Sequence, residues 1–428
     1  MMEGQRLKQT QVGMIPEDWE VLELRQISKV IDSLHVTPDY SSDGIPMVRA
    51  TDVKRGNLHL ERTLRVTREV YDEFTRNHMP RRNDIVMSRV GTYFVTSFVE
   101  TDEPFCIGQN TVVICPSINS RFVYYSLNSR LVTRQIEEEL VGSGGQETIS
   151  LEDIRELLIP KPTDRSEIEA ISRILSDLDS KIELDSQMNK TLEAIGQAIF
   201  KHWFIDFQFP NKDGTPYKSS RGEMVHNEEL GKEIPRNWMV KPIDGVADFL
   251  NGLAMQKYPA ENENEFLPVI KIRELREGVT DSSDKASPNI PREYVVVDGD
   301  VLFSWSGSLE VVVWTSGRGA LNQHLFKVTS KDYPKWFYYY WLLQHLPEYR
   351  RIAEGKATTM GHIQRHHLKS SLVLVPDKTD LQTMHKILSS VVEKIIEVNI
   401  QSRKLSQMRD LLLPKLMSGK IRVRVEAR

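Results

Sequence analysis

Two long stretches of this chain carry the same pattern of apolar residues, 213 positions apart, as in Ile171 against Met384. In the first, SEIEAISRILSDLDSKIELDSQMNKTLEAIGQAIF, residues Ile168, Ile171, Leu175, Leu178, Ile182, Leu192 and Ile199 fall on alternate steps of three and four. In the second, Leu381, Met384, Leu388, Val391, Ile395, Val398, Leu405 and Leu412 keep the same register. Such spacing places apolar side chains in one stripe along a helix, and a stripe this narrow is buried best against another helix, as in a coiled coil. Each helix of roughly 35 to 40 residues would be about 55 Å long. Asp185, Asn189 and Gly196 interrupt the first stripe, and Ser402 and Arg409 the second. Asn189 and Ser402 occupy equivalent positions and read either as a buried polar pair that fixes register or as a solvent-facing gap.

The repeat extends upstream of both helices. IPEDW at Ile15–Trp19 matches IPRNW at Ile234–Trp238, DIVMSRVGT at Asp84–Thr92 matches DVLFSWSGS at Asp300–Ser308, and FVYYSL from Phe122 matches FYYYWL from Phe337. The offset drifts by a few residues, as loops of unequal length would make it. Chain order is therefore domain, helix, domain, helix. The divisions fall at 1–162 for a first domain, 163–207 for a central helix and 208–237 for a polar linker. They continue with 238–376 for a second domain, 377–418 for a second helix and 419–428 for a tail. A parallel helix pair would need a long return connection, so an antiparallel pair is expected, with the domains held apart about a pseudo-twofold axis. Short apolar runs such as TVVICP and YVVVDGDVLFSW, separated by polar loops, predict an α+β fold for each domain. Tyr124, Tyr125, Tyr338 and Tyr339 stand at core spacing on one helix per domain.

The formal charge of -4 does not describe a generally basic coat, but the sign is uneven. Ile45 to Val95 holds ten Lys or Arg against six Asp or Glu, whereas Asp164 to His202 holds five against eight. Arg350, Arg351, Lys356, Arg365 and Lys369 form a later basic cluster, opposed by Glu354. Basic domains joined to acidic helices fit phosphate neutralisation by the domains. Base readout would fall to polar loops: Arg49, Ser88, Arg89, Thr92, Gln109 and Asn110 in the first domain. In the second the corresponding set is Lys271, Arg273, Ser304, Ser306, Ser308, Asn322, Gln323 and His324. Catalytic patterns are missing: GSGGQ at Gly142–Gln146 lacks the lysine of a phosphate loop. His362, His366 and His367 have metal-like spacing, but the repeat replaces them with Thr148, Glu152 and Asp153, so no metal is expected. Cys106 and Cys115 form neither a CxxC pair nor a disulfide framework, which fits a reducing compartment. With no signal segment and no apolar run of roughly 18 to 20 residues, the expectation is a cytoplasmic protein without membrane contact.

FKHWFIDFQFP at Phe200–Pro210, MVHNEELGKEIPRNW at Met224–Trp238 and IPEDWEVLEL near the start resemble the specificity subunits of type I restriction-modification enzymes. The helix starts IPKPTDRSEI and LVPDKTDLQT depart from the family's common Pro-Pro-Leu-x-Glu-Gln pattern. The resemblance implies two target-recognition domains, each reading half of a bipartite asymmetric site in double-stranded DNA. It implies docking of two methyltransferase subunits and of restriction/translocase subunits. S-adenosylmethionine, ATP and Mg would bind those partners, with no cofactor on this chain and no catalysis by it. Apolar residues beyond the first stripe, Trp203, Phe204 and Phe207, with Leu416 and Met417 in the second copy, read either as docking residues or as packing against the adjoining domain. Other readings are the specificity subunit of a related two-component methylase-nuclease and a DNA-binding protein acting alone.

Overall fold

The computed structural model describes residues 6–90, 95–142, 148–262, 264–355 and 361–423. Thr92, Lys356 and the GSGGQ run beyond Gly142 lie outside the described residues. The chain forms two compact units, one of Met1–Ile182 with Leu405–Arg428 and one of Glu183–Lys404.

The first unit opens on a hairpin of β1 (Leu7–Thr10) and β2 (Gly13–Pro16), with Gly13 at φ +106°, a conformation that side chains disfavour. Ile15 and Trp19 of the repeated pentapeptide are fully buried, so the motif is a pair of core anchors. From Trp19 the chain runs through β3 (Trp19–Glu23) and α1 (Leu24–Ile27) to β4 (Ser28–Asp32). β4 borders a sheet whose other strands are, in order, β11 (Thr111–Pro116), β8 (Ile85–Ser88), β9 (Thr96–Phe98) and β6 (Gly56–Asn57). Successive side chains of a strand point to opposite faces, and both faces here are apolar. Ile85, Met87, Val112 and Ile114 join a core with α3 (Ser120–Leu127), while Val86 and Val113 join Val48, Phe105 and Ile107 on the other side. A smaller sheet sets β5 (Ile45–Val48) between β7 (Leu64–Val66) and a parallel β10 (Cys106–Ile107). β12 (Leu158–Pro162) pairs with β3. The helices start where short polar side chains take up free N–H groups. Thr67 accepts from Val70 ahead of α2 (Arg68–Phe74), and Asn119 from Phe122 ahead of α3. α4 (Arg130–Gly142) follows, and Ser150 and Asp153 cap each other's backbone at α5 (Leu151–Glu156).

The second unit repeats this plan, without a counterpart of β6 in the main sheet and with one more strand in the smaller sheet. A hairpin of β13 (Met224–Asn227) and β14 (Lys232–Pro235) leads to Ile234 and Trp238, both buried. β15 (Met239–Pro242) pairs with β24 (Leu372–Val375). The main sheet is β16 (Asp248–Asn251), β23 (Leu325–Thr329), β20 (Val301–Ser304) and β21 (Val311–Val313), the order of β4, β11, β8 and β9. The smaller sheet runs β18 (Lys285–Ala286), β17 (Leu267–Ile270), β22 (Gly319–Leu321) and β19 (Val295–Val296), with β17 parallel to β22 as β5 is to β10. α7 (Ile272–Glu277), α8 (Lys335–Glu354) and α9 (Arg365–Ser370) complete it. Tyr124 and Tyr125 on α3, like Tyr338 and Tyr339 on α8, are core residues.

The segment 208–237, expected to be a polar linker, is structured. It contains the β13–β14 hairpin, and Phe209 stacks on Tyr217 and Trp238 at 4.6 and 4.9 Å between ring centres. Its polar composition hides a few aromatic anchors, which suffice to order it.

The two long helices are α6 (Arg165–Phe200), which runs into a π turn at Lys201–Ile205, and α10 (Lys378–Met417). Each begins in one unit and ends in the other. Inside the first unit Arg422, just past α10, pairs with Glu167 and Asp18, and Arg409 pairs with Asp179 at 3.0 Å. Numbers on one segment therefore fall as they rise on the other. Hydrogen bonds from Arg422 hold the Asp18 carboxyl below its ordinary range. Inside the second unit Asn189 donates to Asn399 at 2.8 Å. A polar pair is thus present, with Asn189 buried, Asn399 partly so, and Asn399 rather than Ser402 opposite Asn189. Arg403 clamps Asp298 at 2.9 Å. Burial pushes that carboxyl up, but Arg403 and the Gly317 N–H together hold it below the usual range.

Candidate nucleic-acid interface

In both domains the sequence-predicted reading residues gather at one end of the main sheet. In the first, Ser88 pairs with Thr111 at the ends of β8 and β11, and the next residue, Arg89, donates its N–H to the Asn110 carbonyl at 2.8 Å. The Arg89 guanidinium reaches both carboxylate oxygens of Asp32 at 2.9 Å and the Ile149 carbonyl at 3.0 Å, and only 11% of the side chain is exposed. In the second domain Ser304 pairs with Leu325, and Trp305 N–H donates to the His324 carbonyl at 3.3 Å. The Trp305 indole N–H reaches Asn251 at 2.8 Å. Asp32 and Asn251 are the last residues of the equivalent strands β4 and β16. One device therefore occurs twice: an acceptor at the end of the first sheet strand fixes the residue that leaves the central strand. Its chemistry differs, a guanidinium–carboxylate pair in one domain and an indole–amide pair in the other.

Around this device some predicted residues stay accessible and others do not. Gln109 and Asn110 are half-buried beside Arg89, with Asn110 held at φ +60°, a left-handed conformation that asparagine tolerates. Arg49 and Lys271 follow the equivalent strands β5 and β17, and each backbone N–H caps onto an acid three residues on, Asp52 at 3.0 Å and Glu274 at 3.1 Å. Their side chains are partly exposed and pair with Asp52 and Asp284. Arg273 binds Glu274 at 2.7 Å and the Ser282 carbonyl at 3.0 Å. Gln323 and His324 are half-buried and Ser308 is exposed.

Ser88, Ser304, Ser306 and Asn322, expected to face DNA, are instead buried. Ser88 bonds the Val90 carbonyl, Ser304 the Ser308 carbonyl, and Ser306 the His324 ring at 3.0 Å. Asn322 accepts from the His324 N–H. Where a strand stops pairing, its last polar groups need partners, and these side chains supply them. Arg89 belongs with this scaffold too. In the later basic cluster Arg350 pairs with Glu310 at 3.1 Å and Arg351 with Glu348 at 2.6 Å. His367 takes the Gln364 N–H at 2.9 Å at the start of α9.

The five docking candidates are buried as well. Phe204 is 0% and Met417 1% exposed, and Trp203, Phe207 and Leu416 are little more so. Phe204 and Phe207 lie 5.3 and 5.8 Å from Trp238, and Leu416 and Met417 share the core of Trp19. In each unit the end of a long helix forms the socket for the tryptophan of the repeated pentapeptide, so these side chains are spent inside the unit. Accessible apolar positions lie elsewhere on the helices. Ile195 on α6 and Met408 on α10 are 44% and 50% exposed, and the two are separated by the same 213 residues as the apolar stripes.

Residues 16–194 and 235–404 match the family described as type I restriction modification DNA specificity domain, one match per half of the repeat. The chain belongs to that family. It is 26% identical to the type I restriction enzyme MjaIX specificity subunit of Methanocaldococcus jannaschii, over 97% of this chain and 96% of the relative. It is 25% identical to the HindI specificity subunit of Haemophilus influenzae, over 80% and 87%. Its fold is similar to the crystal structure of the type I restriction-modification S subunit from M. genitalium, with a TM-score of 0.55 at 14% identity, covering 97% of this chain and 99% of that one. Among the described residues no helix is long and apolar enough to cross a membrane. Asp32, Asn251 and Trp305 are the members of the strand-end device that the sequence patterns overlook. Aligning strand ends across the repeat, rather than scanning for polar loops, would have found them.

Proposed function

We propose that this specificity subunit reads a bipartite, asymmetric site in double-stranded DNA, one half with each domain, and that α6 and α10 pair antiparallel as the coiled-coil spacer that sets the unread gap. The observation that carries this reading is the repeated strand-end device with different chemistry in its two copies. One backbone frame, fixed by Arg89 in one domain and by Trp305 in the other, presents Gln109 and Asn110 in the first and Gln323 and His324 in the second, which suits two related readers of two different sequences. Arg49, Lys271 and Arg273 flank these positions and supply phosphate or base contacts once their ion pairs exchange for DNA. The chain itself contributes recognition; adenine methylation, ATP hydrolysis and cleavage belong to methyltransferase and restriction/translocase subunits that dock on it.

Two methyltransferase copies are the natural load of a surface presented twice. Ile195 and Met408, exposed and equivalent under the repeat, are the proposed centres of those two surfaces. Reconstitution with the cognate methyltransferase subunit tests the scheme. Mass measurement should find two copies on the unaltered chain, one on Ile195→Asp or Met408→Asp, and none on the double variant. Two copies retained on the double variant would remove these residues from the interface, and failure of the unaltered chain to bind any copy would return the protein to a DNA-binder acting alone.

A further inference from the structure

The repeat also exposes a mismatch of charge away from the reading loops. At the start of the central strand of the second domain, Asp300 accepts the Val297 N–H at 2.9 Å and pairs with the ammonium of Lys327 at 2.9 Å, both side chains being largely buried. The equivalent aspartate of the first domain, Asp84, is 3% exposed and accepts the Arg81 N–H at 3.0 Å in the same way. The residue in the place of Lys327 is Val113, which faces Val86 as Lys327 faces Leu302 and carries no charge. Two other side chains close on the carboxylate: His78, with Nε2 at 2.7 Å from Asp84 Oδ2, and Cys115, with Sγ at 3.3 Å from that same Nε2. All three ligand atoms lie within 4.8 Å of one another.

We infer that His78, Asp84 and Cys115 form a binding site for a zinc ion, which takes the charge-neutralising place that Lys327 holds in the other domain. Imidazole nitrogen, carboxylate oxygen and thiolate sulfur together are a zinc-type donor set. A dication with one carboxylate, one thiolate and one neutral imidazole sums to zero, as Asp300 with Lys327 does. Tetrahedral zinc spaces such ligands roughly 3.3 to 3.7 Å apart, so the His78–Asp84 hydrogen bond has to open by about half an ångström while the Cys115–His78 separation hardly changes. Water completes the shell, since neither His78 nor Cys115 is fully covered. Zinc binds a cysteine as the thiolate, and a thiol is ordinarily protonated at neutral pH, so zinc displaces a proton when it binds: thiol plus Zn²⁺ gives the zinc thiolate plus H⁺. The ion would tie the turn that follows α2 to β11 at the end of the sheet opposite Arg89 and Asn110, which makes it a fastener of the first domain rather than a reader of DNA.

The test uses the full chain, reduced, stripped with a chelator and titrated with Co²⁺ and then Zn²⁺ alone. Expected are one equivalent of tightly bound metal, a thiolate-to-cobalt charge-transfer band that zinc abolishes, proton release on binding and a zinc-dependent rise in Tm. Only two cysteines exist in the chain, and Cys106 is wholly buried, so Cys106→Ala should keep the band. Cys115→Thr, which installs the residue the repeat carries at Thr329, should abolish it. The variant should also weaken zinc binding by more than the ~10- to 100-fold that loss of a supporting hydrogen bond costs. No thiolate–cobalt band in the unaltered chain overturns the site, leaving His78 as the hydrogen-bonded partner of Asp84. A band that survives in folded Cys115→Thr overturns it too, and if that variant fails to fold, the spectrum of the unaltered chain decides.

Discussion

Arg89 and Gln109 stand in the same loop cluster and would be chosen together by anyone looking for polar residues that read bases, yet their surroundings assign them different work. Arg89 has its guanidinium committed to Asp32 and the Ile149 carbonyl. Arg89→Ala takes the guanidinium from the Ile149 carbonyl and leaves Asp32 with only the Ser33 N–H and His35 beside it, so it should cost the first domain about 1 to 3 kcal/mol of stability in denaturant melts, before any effect on DNA. Gln109 is half-buried, and no hydrogen bond of its side chain is needed to hold the fold. Gln109→Ala should therefore leave the melt unchanged and relax one half-site of the assembled complex by about 1 to 3 kcal/mol, with Gln323→Ala doing the same to the other half. Binding measured on duplexes altered in one half at a time separates the two effects. A destabilised Gln109→Ala, or an Arg89→Ala of unaltered stability that misreads DNA, would reverse the assignment. Residue type was enough to find the cluster, because strand-end loops are where polar side chains collect. It was not enough to tell scaffold from reader, because that depends on whether Asp32, 57 positions earlier, takes up the guanidinium.

Among the elements, the long helices were the most legible, since a three-four stripe records its own geometry in consecutive residues. Their ends were not. Trp203, Phe204, Leu416 and Met417 look like a surface left over beyond the stripe until Trp19 and Trp238 are placed on them. The helices also differ in how they meet the aromatic helix of each domain. In the first unit the Tyr125 hydroxyl donates to Asp179 at 2.7 Å, and Asp179 pairs with Arg409. In the second unit the equivalent of Arg409 is Gly196, and Tyr340, the equivalent of Tyr125, fills the space that its missing side chain leaves. A Cβ at Gly196 would collide with the end of the Tyr340 ring, with Cζ at 2.8 Å. Gly196→Ala ordinarily gains helix propensity of about 1 kcal/mol, but here the overlap should dominate and cost about 1 to 3 kcal/mol net. Tyr340→Phe removes a hydroxyl that has no hydrogen-bond partner, so it should be close to neutral alone and should recover much of the loss in the double variant. Denaturant midpoints of the four proteins complete the cycle, and additivity of the two changes would mean that the collision is not the cause.

For the whole molecule, the spacer reading yields its own test, because the division into units indicates where length can be added without disturbing either. One heptad inserted after Ile182 and another after Lys404 fall at the two points where the chain passes between units, and so leave the contacts inside each intact. Seven residues lengthen a helix by about 10 Å, or about three base pairs of duplex, and the preferred gap between half-sites should grow by that much with the half-site bases unchanged. Adenine-methylation mapping in cells carrying the variant reads gap and bases at once. An active variant with the original gap would end the ruler idea. The repeat made the order of domains and helices visible from sequence, but it could not reveal that the first unit is completed from the far end of the chain. The first domain takes its core residues Leu412, Leu416 and Met417, and the arginine that holds Asp18, from a segment made more than two hundred residues after the rest of its core. On the ribosome, then, the domain translated first cannot be the domain finished first: it waits, without the Leu416 and Met417 side of the Trp19 core, while its twin is synthesised.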